Sequence, residues 1–171
     1  EAEKVEEICE KTEGMVTVAN YNCPGQIVIT GQEAAVEAAC EALKTAGAKR
    51  TIRLNVSGPF HSPMLAGAGE KLSEVLADVE LTEFDTPYVT NVTADYVVSP
   101  EGVKELLCRQ VSQSVRWQQS VERMIADGVD TFIEIGPGKT LSGFMRKINR
   151  EVKVYNVEKP ADLERVLEEC L

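Results

Sequence analysis

The chain has one histidine, His61, set in the run Val56-Ser-Gly-Pro-Phe-His-Ser-Pro-Met64. Imidazole is the side chain best suited to move a proton near neutral pH. Gly58, Pro59 and Pro63 forbid regular structure around it, so the spacing predicts a shaped loop. A loop histidine can also be a surface or packing residue, and as a general base it would need a nucleophile within reach. No G-x-S-x-G elbow occurs in the sequence. Ser62 abuts His61, but adjacent side chains rarely align for proton transfer, so Ser62 is not expected to be the nucleophile.

Three other stretches could carry chemistry. Glu134-Ile-Gly-Pro-Gly-Lys-Thr140 ends like a phosphate loop, but G-x-x-x-x-G-K-[ST] would need a glycine where Ile133 stands. A glycine-rich turn between a strand and a helix can still offer backbone N–H groups to an anion, or can simply be a tight turn. Asn20-Tyr-Asn-Cys-Pro-Gly-Gln26 reads as a polar turn whose amides could also hold a ligand. Lys139, Arg146, Lys147 and Arg150 are spread along one expected helix, with Lys49-Arg50 as a second basic spot. They could dock an anionic partner or be a solvated face that suits the helix dipole.

The composition excludes some classes. Lys plus Arg number 18 against 28 Asp plus Glu, giving a formal charge of −10. That argues against a nucleic-acid partner, which would need a basic face. The five cysteines show no C-x-x-C spacing, so free thiols are expected rather than a structural metal site. No apolar run approaches the length of a membrane span and no signal peptide opens the chain, so a cytoplasmic protein without a membrane partner is expected.

The elements that must position these residues follow from periodicity. Val5, Ile8, Cys9 and Thr12 mark an opening helix, closed by Gly14. Strands are expected over Met15–Asn20 and Gln26–Thr30, with Asn22, Pro24 and Gly25 in the turn between them. Val36, Ala39, Cys40 and Leu43 mark a second helix, and Lys49–Val56 a third strand. Helix, strand, strand, helix, strand is a β-α-β-β-α-β ferredoxin-like unit lacking its first strand, which would lie upstream of Glu1. The rest alternates as α/β. Helical stripes run through Leu65–Val79, Val103–Val111, Trp117–Ile125, Leu141–Ile148 and Leu163–Cys170. Strands are expected over Pro87–Val92, Asp130–Ile135 and Val152–Val157, the middle one as a parallel strand covered on both faces.

Taken together, the motifs carry a resemblance. Val18-Ala-Asn-Tyr-Asn-Cys-Pro-Gly-Gln-Ile-Val-Ile-Thr-Gly31 resembles the V-x-N-Y-N-S-P-G-Q-x-V-I-x-G segment of malonyl-CoA:acyl carrier protein transacylases. Val56–Met64 is similar to that family's histidine loop, and Phe132–Gly138 to its G-P-G turn. Gly47–Arg50, Val89–Val92, Arg109-Gln110 and Trp117 match in order between them, so the likeness covers nearly the whole chain.

The resemblance implies a ferredoxin-like small subdomain, residues 1–56, followed by the C-terminal part of an α/β-hydrolase-like large subdomain, residues 57–171. It implies that His61 is a general base oriented by the backbone carbonyl of Gln110. Phe60 would crowd the substrate's α-carbon, and Asn20 and Asn22 would line the small-subdomain side of the cleft. The implied substrate is a coenzyme A thioester, malonyl-CoA, and no cofactor would be bound permanently. The implied partners are acyl carrier protein, approaching Lys139, Arg146, Lys147 and Arg150, and the missing N-terminal part of the same enzyme.

The family's nucleophilic serine, its oxyanion hole and its carboxylate-binding arginine have no counterpart in this sequence. Cys23 stands where a serine is commoner. One half of an active site is expected, inactive alone. The chain stops soon after its last helix, which favours a free-standing enzyme over a synthase domain. The other readings are a domain of a fatty acid or polyketide synthase, a non-catalytic ferredoxin-like binding module, and a nucleotide-binding fold, against which Ile133 already counts.

Overall fold

The computed structural model describes residues 1–170. Leu171 and the side chain of Cys170, placed by the sequence in the last helical stripe, lie outside the described residues. The chain forms two compact units, Glu1–Ser120 and Val121–Leu171.

The first unit opens with α1 (Ala2–Lys11), whose stripe Val5, Ile8 and Cys9 faces inward. An antiparallel hairpin follows, β1 (Val16–Cys23) and β2 (Gln26–Gly31). Pro24 and Gly25 make its turn. Proline presets φ at the first central position, and Gly25, at φ +78°, takes the left-handed second one. Helix α2 (Glu33–Thr45) packs beside α1 on one face of the hairpin, and Cys9, Val16, Ala35 and Ala39 are the buried centre of that layer.

Helix α3 (Ala66–Ala77) begins after one 3-10 turn, Pro63–Leu65, and packs against α4 (Val103–Gln110). Their close approach explains Gly69: a Cβ there would stand 2.7 Å from the Cys108 carbonyl oxygen. Between them β3 (Tyr88–Val89) pairs antiparallel with β4 (Tyr96–Val97).

The second unit takes up most of α5 (Trp117–Ala126) and continues with β5 (Thr131–Ile135), α6 (Thr140–Ile148), β6 (Lys153–Val157) and α7 (Pro160–Cys170). Strands β5 and β6 pair in parallel, Thr131 with Lys153 through Ile135 with Val157. The crossover between them is a helix, as parallel neighbours require.

Four sequence expectations are corrected. Lys49–Val56 forms no paired strand. The last strand of a βαββαβ unit pairs only with the first, and no strand precedes α1 among the described residues. Ile52, Leu54 and Val56 therefore remain exposed, while Arg53 pairs with Glu33 and Glu37 on α2. Pro87–Val92 pairs only at Tyr88–Val89. Beyond it the Thr90 hydroxyl accepts from the Val92 N–H (3.3 Å) and the Thr90 carbonyl from the Ala94 N–H (2.9 Å), so local turn bonds displace the ladder. Asp130–Ile135 is not covered on both faces, since Ile133 and Ile135 are 45% and 80% exposed. The fourth correction concerns Asn22, which lies on β1 and not in the turn, because the hairpin runs on to Cys23.

Candidate functional site

That last correction comes from two irregularities in β1. Val18 faces Ile29 across the hairpin and Asn20 faces Val28, so Ala19 is an extra residue; a second register shift lies between Tyr21 and Cys23. A one-residue bulge reverses the alternation of side chains along a strand. Val16 and Val18 point toward the helices, and after the bulge Tyr21 does so too: its hydroxyl donates to Glu6 Oε1 on α1 at 2.5 Å. Burial, reinforced by Glu6, pushes the Tyr21 phenol up. Asn20, opposite Val28, consequently faces away from the helix layer, and Asn22 is the extra residue of the second register shift.

At the bulge, β1 also gains a neighbour on its outer edge. The Val115 N–H donates to the Ala19 carbonyl at 2.8 Å, and the Tyr21 N–H donates to the Val115 carbonyl at 2.9 Å. The Ser114 hydroxyl donates to the Val18 carbonyl at 2.6 Å. Residues 111–116, the connection between α4 and α5, thus lie along the strand that carries Asn20 and Asn22.

The same connection holds His61. Nδ1 of His61 lies 3.1 Å from the Gln110 carbonyl oxygen and 3.2 Å from that of Gln113. Carbonyl oxygens only accept, so in the neutral ring Nδ1 must carry the hydrogen, shared between the two, and Nε2 keeps a free lone pair. The Gln110 carbonyl is open to this bond because it belongs to the last turn of α4, whose carbonyls have no partner within the helix. His61 itself sits at φ +57°, a left-handed conformation that histidine tolerates better than most residues. The loop is pinned on its far side by Ser62, which is fully buried. Its hydroxyl donates to the Pro59 carbonyl at 2.7 Å and accepts from the Met64 N–H at 3.3 Å. Buried and engaged in this way, Ser62 is a capping residue. Phe60 is 53% exposed beside the histidine.

The sequence pointed to Gln110 only through resemblance, and it missed Gln113. A backbone acceptor leaves no mark in side-chain type, so nothing in the residue itself could have flagged it.

In the second unit, the G-P-G turn is accounted for by Glu134. Its carboxylate Oε1 accepts from the Leu141 N–H at 3.0 Å. Its Oε2 accepts from the Ser142 N–H (2.8 Å), the Ser142 hydroxyl (2.6 Å) and Asn156 Nδ2 (2.7 Å). The strand's own carboxylate occupies the N-terminal end of α6, the place a bound phosphate would take. Burial alone would push the Glu134 carboxyl up, but the hydrogen bonds from Ser142, Leu141 and Asn156 outweigh it, and the group sits below the usual carboxylate range. This removes the phosphate-loop reading on geometric grounds. The signal was present in the sequence: one acidic residue within the apolar run Thr131-Phe-Ile-Glu-Ile135, shortly before a helix.

The four basic residues are strung out rather than gathered. Lys139 is the residue before α6, Arg146 and Lys147 lie in its last turn, and Arg150 follows its end. At about 1.5 Å per residue, Lys139 and Lys147 are about 12 Å apart along the axis. Among the described residues no group of three His, Cys, Asp or Glu side chains is placed to hold a metal ion. A cleft of about 870 Å³, lined by residues within 77–82 and 100–104, does not include His61 or the asparagines.

Comparison with known proteins decides the family. Residues 2–161 match the sequence profile of the acyl transferase domain. The chain belongs to the acyl transferase domain family. It is 46% identical over 171 residues to the malonyl CoA-acyl carrier protein transacylase of Bacillus subtilis, covering 98% of this chain and 54% of that protein. It is 40% identical over 164 residues to the protein of the same name from Staphylococcus aureus, covering 94% of this chain and 53% of the relative. Among solved structures, the protein called MCAT from Streptococcus pneumoniae is 47% identical and superposes with a TM-score of 0.92 over 98% of this chain and 55% of its own. A malonyl-transacylase solved in complex with a type II PKS acyl-carrier protein is 37% identical, with a TM-score of 0.94 over 98% of this chain and 55% of its own. The acyl transferase chain therefore has the α/β fold of these structures and spans about half the length of the relatives it matches. None of its helices, among the described residues, is long and apolar enough to cross a membrane.

Proposed function

We propose that this chain is the C-terminal part of a malonyl-CoA:acyl carrier protein transacylase. His61 is its general base, acting on a serine that lies outside residues 1–171. The observation that carries the reading is the His61 Nδ1–H held against two backbone carbonyls, within a chain of the acyl transferase family. In any such triad the ring must be fixed in one tautomer so that Nε2 faces the nucleophile.

The reaction then runs in two balanced halves. Nε2 of His61 takes the serine proton as the serine oxygen attacks the malonyl thioester carbonyl, and it returns that proton to the departing coenzyme A thiolate. In the second half Nε2 takes the proton of the carrier's pantetheine thiol, whose sulfur attacks the acyl-serine ester, and the proton goes back to the serine. The coenzyme A thioester is a substrate, and no resident cofactor has a role in this scheme. Phe60 beside the base would disfavour substrates branched at the α-carbon. Asn20, turned away from the helices by the bulge, and Asn22 would offer amides to the pantetheine arm. Residues 1–56 act as a ferredoxin-like small subdomain and residues 57–171 as the C-terminal part of an α/β-hydrolase-like large subdomain. Acyl carrier protein docks on the side of Lys139, Arg146, Lys147 and Arg150. A role in fatty acid or polyketide synthesis in the cytoplasm follows from the malonyl group and its carrier.

The test joins the chain to an N-terminal acyltransferase half carrying the serine. The mass of each polypeptide is measured after mixing with malonyl-CoA, and transfer to acyl carrier protein is timed. The adduct should appear on the N-terminal half, and His61→Ala should slow transfer roughly 10²- to 10⁴-fold. Transfer at the normal rate by His61→Ala, or an adduct on this chain, would refute the assignment.

A further inference from the structure

The α4–α5 connection is bonded on two sides at once. On one side the Gln113 carbonyl accepts from His61 Nδ1. On the other, one residue later, the Ser114 hydroxyl donates to the Val18 carbonyl at 2.6 Å and Val115 bridges to Ala19 and Tyr21. A single peptide unit therefore separates the acceptor under the histidine from the clamp on β1. At its far end the Arg116 N–H donates to the Asn91 carbonyl at 3.1 Å. The Val115 and Arg116 links are backbone to backbone and persist whatever side chains stand there. The Ser114 link depends on a part-buried hydroxyl that reaches across to the β1 backbone, 96 residues away in sequence.

We propose that Ser114 is a positioning residue for the base. Its hydroxyl holds the α4–α5 connection onto β1 and thereby sets where the Gln113 carbonyl stands beneath His61. The inference rests on the acyl-transfer reading of His61. Two acceptors share the Nδ1 hydrogen, and they are fixed differently. Gln110 is anchored within the last turn of α4. Gln113 lies past the helix end, held by its own N–H to the Arg109 carbonyl and by the Ser114 and Val115 bonds to β1. Losing the Ser114 bond loosens the second acceptor, which keeps its backbone links, and leaves the first, so the ring keeps its tautomer but gains room to rotate. The consequence is misalignment of Nε2, which shows in the chemical steps rather than in thioester binding.

The experiment uses the chain joined to its N-terminal half, with Ser114→Ala, Ser114→Thr and His61→Ala compared with the unmodified protein. The readouts are kcat and KM for malonyl-CoA, the imidazole ¹H–¹⁵N signals of His61, and circular dichroism as a check on folding. Ser114→Ala should lower kcat roughly three- to tenfold, the equivalent of one hydrogen bond, with KM changed less than about twofold. It should also speed solvent exchange of the Nδ1–H, and Ser114→Thr should restore both. An unchanged kcat in Ser114→Ala, while His61→Ala abolishes transfer, overturns the role of Ser114 alone. So does a loss that Ser114→Thr fails to recover, or one accompanied by an unaltered Nδ1–H. Normal transfer by His61→Ala overturns the acyl-transfer reading instead.

Discussion

Replacing Glu134 by glutamine tests the claim that a carboxylate has taken over the end of α6. Three donors converge on Oε2 and one on Oε1. A glutamine can keep its oxygen at the three-donor position, but its NH₂ then faces the Leu141 N–H, so one bond is lost and two donors meet. A hydrogen bond to a charged group contributes about 1.5–3 kcal/mol, and the negative charge at a helix start adds about 0.3–1 kcal/mol. Glu134 is only partly buried, and solvent screening places the sum toward the low end, at about 1.5–2 kcal/mol. At about 1.4 kcal/mol per decade, the first-turn amides of α6 should open roughly 10- to 30-fold more often.

Hydrogen exchange at Leu141 and Ser142, read as protection factors at neutral pH, measures this directly. The pH dependence has a definite sign. A carboxyl held below its usual range stabilises the fold above that range, and the contribution is lost as pH falls through the lowered value. The gap between the unmodified protein and the Glu134→Gln variant should therefore be constant above the usual carboxylate range, from about pH 5 upward, and shrink as pH falls through the lowered value. Equal protection at neutral pH, or a gap that does not shrink on acidification below the usual carboxylate range, would refute the reasoning.

Two further outcomes concern burial and close packing. Gly69→Ala places a methyl 2.7 Å from the Cys108 carbonyl, a backbone atom that cannot swing aside, so α3 and α4 must separate at a cost of about 1–3 kcal/mol, visible as a lower denaturation midpoint. Cys9 is 4% exposed, and burial, followed by Cys40 and the nearby glutamates, pushes its thiol up to about 11. It should resist a thiol-specific reagent at about pH 8 until the protein is unfolded, and rapid labelling in the native state would contradict the packing of α1.

Much of this was legible in the residues, for reasons that can be named. Stripes such as Val5, Ile8 and Cys9, or Val103 and Leu106, announce helices because a buried face repeats with the helical turn. The His61 loop was legible because Gly58, Pro59 and Pro63 exclude other structure. The features that were not legible depend on partners distant in sequence. Lys49–Val56 has the composition of a strand but no strand beside it among the described residues, and composition cannot supply a neighbour. The site was divided in the same way. His61 is a side-chain signal, whereas its two acceptors are main-chain atoms, and the bulge at Ala19 that turns Asn20 outward is a matter of register. Glu134 lay between these cases: its type was visible, but its four donors were not.

The left-handed backbone of His61 has a consequence for how this loop can change. Such a conformation costs a non-glycine residue roughly 1 kcal/mol, and glycine is the substitution that relieves it. In this loop the available glycine, Gly58, stands three positions earlier, and the strain falls on the one residue that bears the imidazole. Easing the backbone at position 61 would therefore discard the ring itself. A lineage keeping the base must carry the unfavourable torsion and recover stability at neighbouring positions, which gives the fully buried Ser62, bonded to both Pro59 and Met64, a reason to be as firmly anchored as it is.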